Sequence, residues 1–329
     1  MALNKFKSAV KQQMLKARHY YDARLGGSCL MLLYHRVADL QTDPQQLAVH
    51  PQLFNEQMLF LKLNYNVLRI DEVAWHLNTK TKLPDKSVVI SFDDGYADNY
   101  LEALPILELH HLPAVFYIAT ATLDTNAEFW WDEMERLLLL SKLPDTAQFE
   151  MHGLKLDLND FEINRYKKYE TVLPILRKTA PEQRQEIINA LQQIFGNKTR
   201  ATHRALTHYE LRQFAKSKYV TIGAHTHNHP SLAALDYNLQ LLEVEISKKI
   251  LEDLLKQRIQ HFSYPFGTKQ DYNTNTLTIC NQLQFKSVAA NYPYIIHKNS
   301  DIFQLPRFLV RNWQLTAFKQ QLHFFTTCR

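Results

Sequence analysis

The amino-acid sequence predicts an α/β fold in which parallel strands close into a barrel. Segments of strand character alternate with helical segments along a chain of 329 residues, the order expected of parallel strands joined by helices. The clearest strand is 87–92, where four of six residues are apolar and β-branched or aromatic, as in strands buried on both faces. Six or seven strand–helix units favour a closed barrel over an open sheet.

The individual elements follow in chain order. Strands are predicted at 28–34, 87–92, 113–119, 219–224, 260–264, 285–290 and 307–310. Apolar side chains at helical spacing predict helices at 51–64, around 100–110, at 238–259 and at 274–283. Thr207 followed three residues later by Glu210 is a capping-box pattern, which predicts the start of one more short helix.

The alternation breaks at about residue 124. Three segments of helical character follow, so the block at about 125–205 is predicted to be a helical insertion. It comes after a strand end, and in βα-barrels the loops at the strand ends carry the substrate contacts. We therefore predict a barrel domain over 29–329, interrupted by an insertion that flanks the barrel mouth.

Residues 1–28 predict a basic amphipathic helix. They contain six Lys or Arg and one acid, and Phe6, Val10 and Met14 recur at helical spacing. Two interpretations remain open. The helix packs on the barrel, or it is attracted to an anionic membrane surface.

Composition excludes several classes of protein. Hydrophobic residues make up 46% of the chain, enough for a large core, but no apolar run approaches the roughly 20 residues that span a bilayer. Three scattered cysteines predict neither a disulfide framework nor a thiolate zinc site. The net charge of +5, without interleaved aromatic residues, does not indicate a nucleic-acid partner. The start of the chain lacks the apolar core of a signal peptide, which predicts a cytoplasmic protein or one bound peripherally to the inner face of the cytoplasmic membrane.

Polar residues at predicted strand ends indicate a site. Asp93 and Asp94 leave the 87–92 strand, where they form either a solvated turn with Gly95 or a pair that shares a metal or a proton. His225 and His229 follow the 219–224 strand in a loop, since Pro230 disfavours helical geometry at the residue before it. Two histidines and a carboxylate with open positions form a catalytic metal ligand set. His227 is an alternative ligand, although its direction alternates away from the other two.

Three of these stretches together resemble a known family. Ser91-Phe-Asp-Asp-Gly95, His225-Thr-His-Asn-His229-Pro230 and Tyr264-Pro-Phe-Gly267 look like the first three motifs of the polysaccharide deacetylases, the NodB-homology domain of carbohydrate esterase family four. The resemblance covers about 29–124 and 205–315. It implies an irregular (β/α)7 barrel, in agreement with the strand count.

The resemblance also implies roles for the matching residues. Asp94, His225 and His229 would hold one divalent metal ion, usually zinc in this family. Asp93 would be the general base. The acetyl pocket would be lined by the turn Tyr264, Pro265, Phe266 and Gly267, with the Phe266 backbone N–H donating to the oxyanion.

Two departures from the family pattern leave roles open. Ser263 stands where the family has an arginine that pairs with the base, and Arg307 is the candidate replacement, with an ordinary surface cation as the alternative. The late Leu-x-His motif that supplies the general acid has no clear match, since His297 and His323 agree by letter only. Leu33-Tyr-His-Arg-Val37 resembles the early strand of the exopolysaccharide-deacetylase branch, which makes His35 the candidate acid. Its alternative is a structural hydrogen-bonding role.

The function implied is a metal-dependent hydrolase that removes an N-acetyl group from an amino sugar and releases acetate. The substrate would be a cell-surface polysaccharide, as in lipopolysaccharide or exopolysaccharide assembly, or its lipid- or nucleotide-linked precursor. The lack of an export signal favours the precursor. Trp130 and Trp131 would stack on the sugar or belong to the helical core. Two alternatives remain: a deformylase or amidohydrolase acting on another C–N bond, and a catalytically inactive carbohydrate-binding barrel.

Overall fold

The computed structural model describes residues 27–142, 148–158 and 161–327. The predicted basic helix at 1–28 therefore lies, except for its last two residues, outside the described part of the chain. Within the described residues, no helix is both long enough and apolar enough to cross a bilayer.

The described chain forms twelve strands and ten α-helices. The strands are β1 Cys29–Tyr34, β2 Arg36–Val37, β3 Ala48–Val49, β4 Asn66–Val67, β5 Ser87–Phe92, β6 Ala114–Ile118, β7 Gln148–Met151, β8 Leu154–Asp157, β9 Val220–Ala224, β10 His261–Ser263, β11 Ser287–Ala289 and β12 Phe308–Leu309. The helices are α1 Pro51–Asn64, α2 Ile70–Thr79, α3 Leu104–His110, α4 Trp130–Glu135, α5 Phe161–Lys178, α6 Pro181–Phe195, α7 His208–Phe214, α8 Tyr237–Leu255, α9 Thr274–Gln282 and α10 Leu315–Thr327.

The seven predicted strands form one parallel sheet. Their order is β11-β10-β9-β6-β5-β1-β12, and the short β4 also pairs with β5. The two ends of the sheet approach each other at Leu305, whose N–H donates to Val288 O at 2.9 Å and whose carbonyl accepts from Ala290 N at 2.8 Å. The sheet therefore curls into an irregular barrel. The predicted α/β barrel class is confirmed, with strand boundaries within two residues of those expected.

Both faces of the central strands are buried. All six residues of β5 are buried; Val88, Ile90 and Phe92 pack with the surrounding helices. Val89 instead packs with Met31 and with helix α2 in a second hydrophobic cluster. Burial on both faces explains the continuous apolar run in the sequence. It also fixes the point at which the two carboxylates that follow leave the sheet.

The segment between β6 and β9 has a hydrophobic cluster of its own. Helices α4, α5 and α6 were expected from the sequence, but an antiparallel hairpin, β7–β8, lies among them. Its two-residue turn, His152-Gly153, has positive φ at both positions (47° and 79°), which matches the twist of a tight hairpin. Buried Phe149, Leu154 and Leu156 alternate with exposed neighbours, a period-two signal that reading the block as helical overlooked.

Candidate active site

The carboxyl ends of the central strands bring the polar residues together. Asp93 and Asp94 follow β5, His225 follows β9, and Ser263 ends β10. In βα-barrels this edge carries the chemistry. Arg307, just before β12, reaches the same point from the last strand of the sheet.

Asp94, His225 and His229 form a buried group suited to one metal ion. One ligand atom from each lies within 4.8 Å of the others. Asp94 Oδ1 is 3.4 Å from His229 Nε2 and 3.6 Å from His225 Nε2. His225 Nδ1 donates to the Ser263 carbonyl at 2.7 Å, which leaves Nε2 as the ligand atom. Donor set, spacing and tautomer all fit a divalent cation of the zinc type.

The local backbone explains how two histidines of one loop face the same point. Thr226 and His229 have positive φ (65° and 52°), and His229 N donates to Thr226 Oγ1 at 3.1 Å. Glu243 accepts from the backbone N–H of His227, which anchors the loop from outside. The His227 ring turns to Thr120, with which its Nδ1 forms a 2.9 Å hydrogen bond. The alternative of His227 as a ligand is therefore not supported by its position.

Asp93 is paired with a buried arginine. Arg307 donates from Nη1 to Oδ1 and from Nη2 to Oδ2, each at 2.7 Å, and Arg307 is only 1% exposed. Ser263 Oγ donates to Asp93 Oδ2 at 3.2 Å and accepts from Arg307 Nη2 at 2.8 Å. Burial by itself raises the pKa of Asp93, but Arg307 and His225 outweigh it and hold that pKa below its usual value. These neighbours therefore favour the ionised form of Asp93.

Arg307 therefore occupies the position that the sequence left open. It is no surface cation; its Nε also donates to Ala290 O at 2.8 Å, which fixes the guanidinium plane. Ser263, the residue at the family's arginine position, bridges the pair instead of supplying the charge.

His35 lies in the wall of the same cleft. Burial lowers its pKa, although Asp94 and Asp93 act in the opposite direction. Its Nδ1 has no hydrogen-bond partner among the described residues, which disfavours the structural hydrogen-bonding alternative for that atom. Among the described histidines, those that line the cleft are His35, His225 and His229. His297 and His323 do not line it.

Of the four residues expected to line the pocket in the turn after β10, Phe266 lines the cleft. Tyr264, Pro265 and Gly267 do not line it and instead shape the turn. Tyr264 is buried and donates its hydroxyl to Phe303 O at 2.9 Å. Phe266 has φ 59°, and its ring lies 4.7 Å from the His229 ring. Gly267 has φ 68°, and a Cβ there would lie 2.7 Å from Asn291 N, so glycine is required. Pro265 O accepts from Gly267 N at 2.6 Å, which closes the turn tightly.

The cleft has a volume of about 750 Å³, and the 125–205 block supplies one side of it. Trp130 and Trp131 both line it, although Trp131 is only 4% exposed and stacks on Phe129 at 4.9 Å. Arg177 of α5 lies 4.1 Å from the centre of the Phe266 ring and forms an ion pair with Asp271. These last two were not predicted, because nothing in their sequence spacing links them to the barrel motifs.

A buried His–His–Asp ligand set beside an ionised carboxylate, at the mouth of a βα-barrel, defines the class of a candidate hydrolase with a metal site. Residues 80–288 match the family model for polysaccharide deacetylase, which covers more than half of the chain. The chain belongs to the polysaccharide deacetylase family.

One curated relative is similar to part of the chain, and two solved structures are similar to its fold. Over 96 residues the chain is 32% identical to the poly-beta-1,6-N-acetyl-D-glucosamine N-deacetylase of Escherichia coli (strain K12), a match that spans 29% of this chain and 14% of the relative. The fold is similar to the Streptococcus pyogenes deacetylase PplD in complex with acetate (TM-score 0.60, 20% identity, 89% and 97% of the two chains). It is also similar to IcaB from Ammonifex degensii (TM-score 0.57, 16% identity, 91% and 97%).

Proposed function

We propose that this protein is a metal-dependent N-deacetylase of an amino sugar in a cell-surface polysaccharide or its precursor. The observation that carries the proposal is the juxtaposition of two groups in one cleft. Asp94, His225 and His229 form the metal-type group, and Asp93 with Arg307 forms an ionised, oriented carboxylate. Metal-assisted hydrolysis of an amide uses both functions at one point.

The chain's own groups then divide the work. A zinc or other divalent ion bound by Asp94, His225 and His229 would polarise the acetamide carbonyl and lower the pKa of water. Asp93 accepts the proton of the attacking water, and Arg307 keeps Asp93 ionised and fixed in plane. The Phe266 N–H, in a tight turn beside His229, donates to the developing oxyanion.

We assign the general acid to His35. The amide nitrogen needs a proton to leave as an amine, and His35 is the cleft-lining histidine outside the metal-type group. Because burial lowers its pKa, His35 is largely neutral at pH 7 before reaction. It therefore takes up a proton from water before it passes one to the leaving nitrogen, and Asp93 afterwards returns to water the proton that it accepted.

The charge of the cleft supports a substrate with an anionic carrier. Asp271 is neutralised by Arg177 and Asp93 by Arg307. Lys178, Lys269 and Arg311 also line the cleft, and they form no ion pair with a carboxylate of the described residues. Phosphate is attracted to such a group of cations. This favours a lipid- or nucleotide-linked precursor over a finished neutral polymer.

The test is an acetate-release screen with zinc-loaded protein over three N-acetyl substrates. These are a nucleotide-linked sugar, a lipid-linked sugar and a neutral β-1,6-linked oligomer. We expect release with an anionic precursor at a higher kcat/KM than with the neutral oligomer. Faster acetate release from the oligomer would support the deacetylase activity but contradict the proposal that the substrate is an anionic precursor. If the protein turns over only formyl or other amides, the amidohydrolase alternative is favoured. If it binds these substrates without turning them over, the inactive carbohydrate-binding barrel is favoured.

A further inference from the structure

A second group of ligand-type side chains lies where α4 meets the barrel. Asp132 and Glu135 are three residues apart and so share one face of the helix. His203, in the short turn Ala201–His203, faces them. One ligand atom from each lies within 4.8 Å of the others, and all three residues are at most 6% exposed.

The charges around this group do not cancel. Three guanidiniums surround it, and each has a carboxylate of its own: Arg36 with Asp98 at 2.9 Å, Arg200 with Glu128 at 2.7 Å and Arg136 with Glu133 at 3.1 Å. This matching leaves Asp132 and Glu135 without a guanidinium of their own, although Glu135 shares Arg200 Nη1 at 3.1 Å and accepts from Thr42 Oγ1 at 2.5 Å. A buried carboxylate needs a compensating partner.

His203 points to what that partner is. Its Nδ1 forms a 2.9 Å hydrogen bond with Thr202 Oγ1, and its Nε2 has no partner among the described residues. Nε2 lies 4.0 Å from Glu135 Oε2, which is too long for a hydrogen bond. Two ligands of one zinc ion, each about 2.0–2.2 Å from it, are about 3.4 Å apart. Burial lowers the pKa of His203 to about 3, so its ring is neutral and able to ligate.

We propose that Asp132, Glu135 and His203 bind a second divalent metal ion, distinct from the one at Asp94, His225 and His229. One imidazole nitrogen and two carboxylate oxygens suit zinc or manganese. The ion's two positive charges balance the two unmatched carboxylates. The site does not depend on the proposed deacetylation.

The position of this ion gives it a structural role. Tyr96 donates its hydroxyl to Asp132 Oδ2 at 2.6 Å, and Trp131 Nε1 donates to the Tyr96 oxygen at 2.7 Å. The Trp131 ring lies 4.6 Å from the His229 ring. An ion at Asp132 therefore fixes the start of the 125–205 block against the catalytic cleft.

The test counts zinc ions in the full-length protein by equilibrium dialysis and elemental analysis at pH 8. Wild type should bind two per chain, His225→Ala one, His203→Gln one, and the double variant none. His76→Gln is the matched control, because the His76 ring hydrogen-bonds Thr81 and lies in neither proposed metal site. This variant should bind two zinc ions. If His203→Gln does not fold, the isosteric variant Asp132→Asn can be measured in its place and should also bind one zinc ion per chain. Added zinc should raise the Tm of His225→Ala but not that of the double variant. One ion in wild type together with none in His225→Ala, or two ions retained by both His203→Gln and Asp132→Asn, would overturn the second site.

Discussion

The two walls of the cleft are built differently. On the barrel side, Asp93, Asp94, His225 and Arg307 are at most 4% exposed and held by the sheet and by one another. On the 125–205 side, Lys178 of α5 is exposed and Trp130 is half-buried. The barrel wall therefore has the fixed geometry that bond cleavage requires. The other wall has the adaptable charge and aromatic surface that suits recognition of a carrier.

The sharpest test of this division is Asp93→Asn. The amide keeps the shape but cannot take a proton, so we expect kcat to fall by about 10²–10⁴-fold. Zinc content at Asp94, His225 and His229 should stay unchanged, as measured by elemental analysis. Near-normal turnover in Asp93→Asn would mean that another residue is the base.

His35→Gln should have the next largest effect. Glutamine can still hydrogen-bond but cannot deliver a proton, so we expect a loss in kcat of about 10²-fold, at the lower end for general catalysis because water can partly replace the acid. A substrate with a better leaving amine should be affected less than one with a poorer leaving amine. An equal loss with both would indicate a positioning role instead.

Arg307 should set the pH range in which the base works. It lowers the pKa of Asp93 against the effect of burial, so Arg307→Met should raise that pKa. Activity requires ionised Asp93 and is lost as the pH falls through its pKa. The acidic limb of kcat/KM should therefore move to higher pH in Arg307→Met. Arg307→Lys, which keeps the charge, is the control and should move it less; identical limbs in wild type and Arg307→Met would show that Asp93 does not govern this limb.

These tests fall mainly on residues that the sequence already pointed to, and the reason is physical. Buried parallel strands require long apolar runs, so residues at strand ends can be located from the chain alone. The Asp93–Arg307 contact joins residues 214 positions apart in the sequence, and they meet because β1 pairs with both β5 and β12. His203 is likewise placed near Asp132 by packing, with no ligand spacing that a sequence motif would reveal.

For exposed lysines that line the cleft, one on each wall, effects should be smaller and specific to the substrate. Lys178→Ala and Lys269→Ala each remove one exposed cation, so KM for a phosphate-bearing substrate should rise about two- to fivefold, in keeping with the modest energy of exposed charge pairs. KM for a neutral N-acetyl oligomer and kcat for both should be unchanged. The control is Lys80→Ala, an exposed lysine at the end of α2 that does not line the cleft. An equal rise with the neutral oligomer would argue against an anionic carrier.

The smallest effect on catalysis is expected from the basic segment at 1–28, which we propose as a peripheral contact with the inner face of the cytoplasmic membrane. Each Lys or Arg near an anionic surface contributes about 1 kcal/mol, so several together can hold the protein reversibly. The described residues that line the cleft begin at His35, so we expect deletion of residues 1–25 to leave kcat on a soluble substrate unchanged. The same deletion should abolish binding to vesicles that contain anionic lipid. For the full chain that binding should weaken with added salt, since charges are screened over about 8–10 Å at physiological ionic strength. If the truncated and full chains bind such vesicles equally, or if neither binds, the segment serves the fold and not the membrane, because an apolar stripe at Phe6, Val10 and Met14 can equally pack on protein.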